Sequence, residues 1–351
     1  MKIFILCMMA IFLYAKPVVS PENWSWRGVD IMAYTIKTDP QAVKFITDNK
    51  INYVRIHIFK KKVMEKFNLN GNQALDLNLK WAKEIYKKLD KAGIKSFITI
   101  ADFPVSLTTC INKRKTVYWQ NSVCINQIYS DVQKTVEYFK DTNLLGYEFL
   151  GEPVVVKHGK SLQPENWNQI FKNIIKITRK VDKNKWLFYS PGPWGLPIDY
   201  DKVVPFDDNK IIYNAHMYMP HSFTHQLIGK NKIRHAYPGR IGLTYWDKQK
   251  LESMLKPLID FQEKYHKPVC ISEFSAALWA EGANKYLSDL IEIFNEYNWG
   301  WFYFNIGSYF KGWDARYDAY IDQKGNKKYI YNGINSKRFQ MLKVYLQVDK
   351  R

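Results

Sequence analysis

Cysteine is scarce in this chain. Only Cys7, Cys110, Cys124 and Cys270 carry a thiol among 351 residues, and no two form a Cys-x-x-Cys pair. That spacing argues against a thiolate zinc site. A dense disulfide framework is not needed either, because a chain of this length can bury most of its unfolded surface in one core. Acidic residues are also few: 33 stand against 52 Lys and Arg, for a formal charge of +19. The excess is dispersed along segments such as Lys80–Lys91 and Lys172–Lys180, as solvated helix faces are. No nucleic-acid-binding motif accompanies it, so no nucleic-acid partner is expected. A spread positive charge leaves room for non-specific attraction to anionic polysaccharide or membrane surfaces. Low-complexity linkers and sequence repeats are absent. No glycine-rich loop follows the first β-rich run, which argues against a dinucleotide-binding fold, and no cofactor is expected.

Long apolar runs are nearly absent too. The one candidate, Ile3–Ala15 after Lys2, is short for a bilayer span but fits the apolar region of a signal peptide. With small residues at Ala15 and Ser20, residues 1–20 are expected to be a cleaved signal, taking Cys7 with them. The mature chain, 21–351, would then be secreted or periplasmic, without stable membrane insertion, and is expected to be a monomer. In an oxidising compartment, Cys110 and Cys124 would close the polar stretch Ile111–Val123 as a disulfide, leaving Cys270 as a buried thiol in a strand.

What the sequence does contain is apolar content of 46%, a globular share, arranged as an alternation. Short β-rich runs occur at Gly28–Tyr34, Tyr53–Ile58, Ser96–Asp102, Gly146–Leu150, Trp186–Ser190, Ile211–Tyr218, Val269–Phe274 and Trp301–Ile306. Their near-continuous apolar character is that of parallel strands covered on both faces. Between them lie helical stripes. Leu77, Trp81, Ile85 and Leu89 form one, stopped by Gly93; Trp167, Ile170, Phe171 and Ile174 form another, after Pro164. Asp39-Pro40 reads as a helix start, and Pro257 as a kink or a later start within its helix. Eight such alternations predict an α/β fold with a single (β/α)8 TIM barrel. Its site would lie at the C-terminal ends of the strands.

Two of those ends carry a carboxylate. The fourth run closes in Leu150-Gly151-Glu152-Pro153 and the seventh in Ile271-Ser272-Glu273-Phe274. Paired carboxylates facing each other across a cleft are what glycosidic bond cleavage needs: one protonates the leaving oxygen, the other attacks the anomeric carbon.

In this setting, several segments together resemble glycoside hydrolase family 5, the cellulase family. They are Gly-Glu-Pro at 151–153, Ser-Glu-Phe at 272–274, Tyr53-Val54-Arg55-Ile56, the His-x-Tyr pair His216 and Tyr218, the loop Phe223-Thr224-His225-Gln226, and Arg27-Gly28-Val29-Asp30. The resemblance runs in order from about Trp26 to Phe304. It implies Glu152 as acid/base and Glu273 as nucleophile. Arg55, His216, Tyr218, Trp194 and Phe304 would bind substrate or steady the pair. Arg55 would lower the nucleophile's pKa, Tyr218 would hydrogen-bond to the nucleophile, and Glu152 would keep its proton near neutral pH.

Three positions depart from the family. Gly151 stands where an asparagine is usual, Asp102 lies on the strand that usually bears a histidine, and Phe304 replaces the tryptophan of the eighth strand. Sugar-stacking candidates are Trp194, Trp279, Trp313 and Phe103. The spacing of His216, His221 and His225 does not point to a metal, and Ser190 and Ser272 lack a nucleophile-elbow pattern. The expected function is that of an exported retaining enzyme acting on a β-linked polysaccharide or oligosaccharide, foremost an endo-β-glucanase. The altered subsite keeps a β-mannanase, a glycolipid glycosidase, a transglycosylase and an inactive carbohydrate-binding barrel as alternatives.

Overall fold

The computed structural model describes residues 26–105, 110–229, 231–307 and 310–346; the expected signal segment lies outside them. Eight strands form a closed parallel barrel: β1 (Arg27–Met32), β2 (Tyr53–Ile58), β3 (Lys95–Ile100), β4 (Gly146–Phe149), β5 (Trp186–Tyr189), β6 (Ile211–Met217), β7 (Val269–Phe274) and β8 (Gly300–Tyr303). Each pairs with the next, and β8 closes onto β1. Observed strands sit within one to three residues of the expected ends. Three short antiparallel hairpins that the periodicity did not reveal lie outside the barrel, at 155–162, 239–246 and 317–331.

The helices between the strands follow from local chemistry. Asn70 accepts from the backbone of Asn72 and Gln73, and the Gln73 side chain accepts from the Asn70 backbone. This capping box opens helix Gly71–Lys91. Gly93, at φ +75°, carries the chain out of it. Pro40 precedes helix Gln41–Asp48. Asp247 caps helix Lys248–Tyr265, which runs through Pro257, so that helix starts early rather than late. Cys110 and Cys124 are bonded, and Cys270 is a buried free thiol in β7.

Side chains alternate along each strand, so every second residue fills the barrel. The lower interior is an apolar plug of Trp26, Phe97, Phe188, Ile212, Cys270 and Phe302. Phe97 and Phe188 stack with centroids 4.2 Å apart. One strand breaks its alternation. In β7, Ile271 faces Ala215 and Glu273 faces His216, so Ser272 is an extra residue. This bulge turns both Ser272 and Glu273 to the interior, where strict alternation would admit only one of them.

Candidate active site

Above the plug the barrel interior becomes polar. Arg55 is its hub: Nε donates to Glu148 at 2.7 Å, and Nη1 donates to Asp30 at 2.8 Å and to Glu273 at 3.1 Å. Burial alone would weaken the guanidinium's hold on its proton, but Glu148, Glu273 and Asp30 raise its pKa further. Its donors are engaged within this layer, which forms the bottom of the cleft. The three carboxylates would be costly to bury without a cation among them.

Glu148 is a charged exception within the near-continuous apolar run of the fourth strand. It is fully buried within β4. Asn214 donates to its Oε1 at 2.7 Å and Ser272 at 3.1 Å. Burial would push its carboxyl up, yet the charges of Arg55 and His216 hold it well below the usual range. Glu148 also accounts for Gly151. A Cβ at position 151 would come within 2.6 Å of the Glu148 carboxylate and 2.9 Å of His216 Nε2. The usual asparagine has no room while these groups keep their places. Leu150, just before it, is held at φ +67°, a conformation that stores strain in a side-chain-bearing residue.

His216 ties the layer to the cleft. Its Nδ1 lies 3.1 Å from Glu152 Oε1 and 3.3 Å from Glu273 Oε2, and its Nε2 lies 3.6 Å from Glu148. Burial alone would lower its pKa, but Glu273, Glu148 and Glu152 together raise it to about 10. His216 is therefore an imidazolium at neutral pH. Burial likewise tends to raise the Glu152 carboxyl. The hydrogen bond and charge of His216, followed by Lys113 and Arg55, override that and lower it. The direction is opposite to the expectation of a proton held at rest. The cause is that the imidazolium, not the second carboxylate, is the nearest strong influence.

Glu152 and Glu273 meet across the mouth. With His216 they each offer an atom, all within 4.8 Å of one another. By position such a trio is a metal-type donor set. The same three groups are also within ion-pair reach of one another through His216 Nδ1.

The remaining candidates divide. Trp194 and Phe304 line the cleft on both sides of the pair, while Tyr218 and Trp313 line one side. Tyr218 packs against His225 and Trp313. Among the described residues it makes no hydrogen bond to Glu273, although that charge, after burial, helps raise its pKa. Trp279 packs on Phe310 and Tyr329 away from the pair. Phe103 is 1% exposed and belongs to the core, which removes it as a sugar platform. Asp102 accepts from the backbone N–H groups of Lys60 and Lys61, so it anchors the start of helix Lys60–Phe67 and does not stand in for a histidine. His221 and His225 stack at 3.8 Å on the cleft wall, apart from the carboxylate trio, with burial lowering both pKa values.

Sequence reasoning missed His57, Lys113 and Arg114, all of which line the cleft. His57 Nδ1 lies 3.2 Å from Asp30 and 4.0 Å from Glu273. Its signal was available, since it stands two residues beyond Arg55 on the same strand face. Lys113 and Arg114 lie in a loop, and no pattern marks which loop turns inward.

A closed parallel barrel with a polar cleft over its strand ends defines the (β/α)8 class in which such clefts are sites of chemistry. The family model of cellulase, glycosyl hydrolase family 5, matches residues 15–310, and the chain belongs to that family. It is 24% identical to endoglucanase C of Acetivibrio thermocellus over 192 residues, covering 46% of this chain and 54% of that protein. An endoglucanase of Clostridium sp. is equally similar. The chain thus spans about half the length of the curated relatives it matches. Thermotoga maritima Cel5A in complex with cellobiose shares the fold at TM-score 0.64 and 20% identity, over 92% of this chain and 97% of that one. The cellulose synthase subunit Z of Clostridioides difficile does so at TM-score 0.64 and 16% identity, over 92% and 99%.

Proposed function

We propose that this protein hydrolyses β-glycosidic bonds with retention of configuration, acting on a β-linked glucan as an endoglucanase does. The observation that carries this reading is the approach of Glu152 and Glu273. One carboxylate oxygen of each lies within 4.8 Å of the other, which is closer to the separation of about 5–5.5 Å in retaining enzymes than to the roughly 6.5–9.5 Å of inverting ones. Glu273 attacks the anomeric carbon while Glu152 gives its proton to the departing oxygen. Water then attacks the glycosyl ester as Glu152 takes the proton back.

The charge layer supports these roles. Arg55 and His216 keep Glu273 pointed into the cleft. When Glu273 becomes an ester it loses its charge, the leading influence that keeps His216 protonated. Glu152, a carboxylate at this stage and 3.1 Å from His216 Nδ1, is the base that takes a proton from the attacking water. Phe304 and Trp194 supply apolar faces for sugar rings.

Export is part of the proposal, supported by the N-terminal apolar run and the Cys110–Cys124 bond. No helix among the described residues is long and apolar enough to cross a membrane. A mannan-type substrate is the second reading, favoured by the space lost at Gly151; Thermotoga maritima Cel5A has been solved with mannotriose. Product analysis by proton NMR on β-glucan and β-mannan oligosaccharides tests both. Retention requires the β-anomer to appear first. An initial α-anomer, or hydrolysis that persists in both Glu152→Gln and Glu273→Gln, overturns the assignment.

A further inference from the structure

The cleft is electrically lopsided. On one side of the carboxylate pair its wall consists of Leu196, Tyr218, Met219 and Trp313, with His221 and His225, whose pKa values burial lowers. On the other side stands Lys113, and Arg114 borders both sides. Arg55 and His216 touch carboxylates, whereas Lys113 feels Glu152 and Asp102 only at longer range. Among the described residues, no carboxylate lies within ion-pair distance of Lys113 or Arg114. The Lys113 amine, among the described residues, donates to the Ala101 carbonyl alone, at 3.2 Å, and the Arg114 guanidinium lies 4.7 Å over the Trp194 ring.

The segment that presents them is firmly held. The Cys110–Cys124 bond closes it, the Val156 N–H donates to the Arg114 carbonyl at 2.7 Å, and Trp119 Nε1 donates to the Lys113 carbonyl at 2.5 Å. Two cations with no carboxylate in contact, on a braced loop next to an aromatic ring that a sugar can reach, form a preorganised anion site rather than a solvated charge run.

We propose that the Lys113–Arg114 side of the cleft is a subsite for a sugar residue bearing an anionic substituent, a carboxylate or a phosphate, so that the natural substrate is an acidic β-linked glycan. The inference rests on reading the cleft as a glycosidase site and narrows its substrate class. It also addresses the protonation of Glu152. Lys113 is among the charges that hold that carboxyl down. An anion seated against Lys113 offsets that charge and favours the protonated acid that bond cleavage requires.

The test uses three cello-oligosaccharides of equal length: unmodified, carboxymethylated and phosphorylated. Each is assayed with the wild-type chain, Arg114→Gln and Lys113→Met, with circular dichroism verifying the fold. At low ionic strength at least one anionic substrate is expected to show a kcat/KM about tenfold or more above the neutral one. That ratio is expected to collapse in both variants and to shrink with added salt, which screens exposed charge. The two modified substrates distinguish carboxylate from phosphate recognition. Equal rates for charged and neutral substrates, or a preference that survives both substitutions, overturn the subsite. The same three compounds are titrated by calorimetry against Glu273→Gln. Preferential binding of an anionic one without hydrolysis in the parent would uphold the subsite and sink the proposed activity. Equal binding of all three would sink the subsite.

Discussion

The two halves of the barrel interior solve opposite problems. The lower half is closed by Trp26, Phe97, Phe188 and Phe302 with their neighbours, and its free energy is that of apolar burial and ring packing. The upper half buries Asp30, Arg55, Glu148, Asn214, His216, Ser272 and Glu273. There the desolvation cost is offset only because nearly every charge meets an opposite charge. The floor can therefore be tight and indifferent to pH. The mouth is poised, and its groups can exchange protons and partners. The contrast assigns stability to the floor and chemistry to the mouth, and it can be broken by experiment.

The largest expected effect belongs to the mouth. Glu273→Gln should lower kcat on the order of 10⁴-fold while near-ultraviolet circular dichroism stays native, as loss of a nucleophile in a preformed site does. Arg55→Met should act on both properties. It strands Asp30 and Glu148 without their cation, costing about 3–5 kcal/mol of stability in denaturant titrations, and it abolishes activity. If Arg55→Met left stability intact, the charge layer would not be interdependent.

Phe188→Ala in the floor should cost about 3–5 kcal/mol as a cavity opens beside Phe97. Activity per folded molecule should stay within a few-fold of the parent; a larger loss would mean that the plug aligns the mouth. Replacing Cys110 and Cys124 by Ser should cost about 3 kcal/mol through the freed loop and weaken whatever depends on Lys113 and Arg114.

The last test is in pH. His216 has a folded pKa of about 10 against 6.5, so its contribution to stability is complete below about pH 6.5 and is lost as pH rises through 10. Glu148→Gln removes one of the charges that raises it. Thermal unfolding followed against pH should show the alkaline loss from about pH 6.5 levelling off at lower pH, and smaller in total, in that variant.

Much of the architecture could be read along the chain. The eight apolar runs, the helix start at Pro40, the stop at Gly93, and the carboxylates at 152 and 273 all rest on local spacing; Asp39 caps no helix with its side chain and pairs with Arg316 instead. The hairpins escaped because strands of three to five residues on the surface carry too little periodicity. Glu148 escaped because one charge in an apolar run looks like an exception until Arg55, 93 residues away in sequence, is found beside it. Phe103 and Asp102 look alike as strand-end residues; only packing shows that one enters the core and the other holds a helix start.

By itself, then, the order of residues determined the barrel, its open end and the two opposed carboxylates, because strand alternation and helix spacing are short-range properties. Tertiary structure alone decided that a bulge turns Glu273 inward, that Glu148 and His216 take the room a side chain at 151 would need, and that Lys113 and Arg114 face the cleft with no carboxylate in contact among the described residues. Those outcomes depend on distances between groups far apart in the chain, where closure of the barrel, and no local preference, sets which charges must share one dry space.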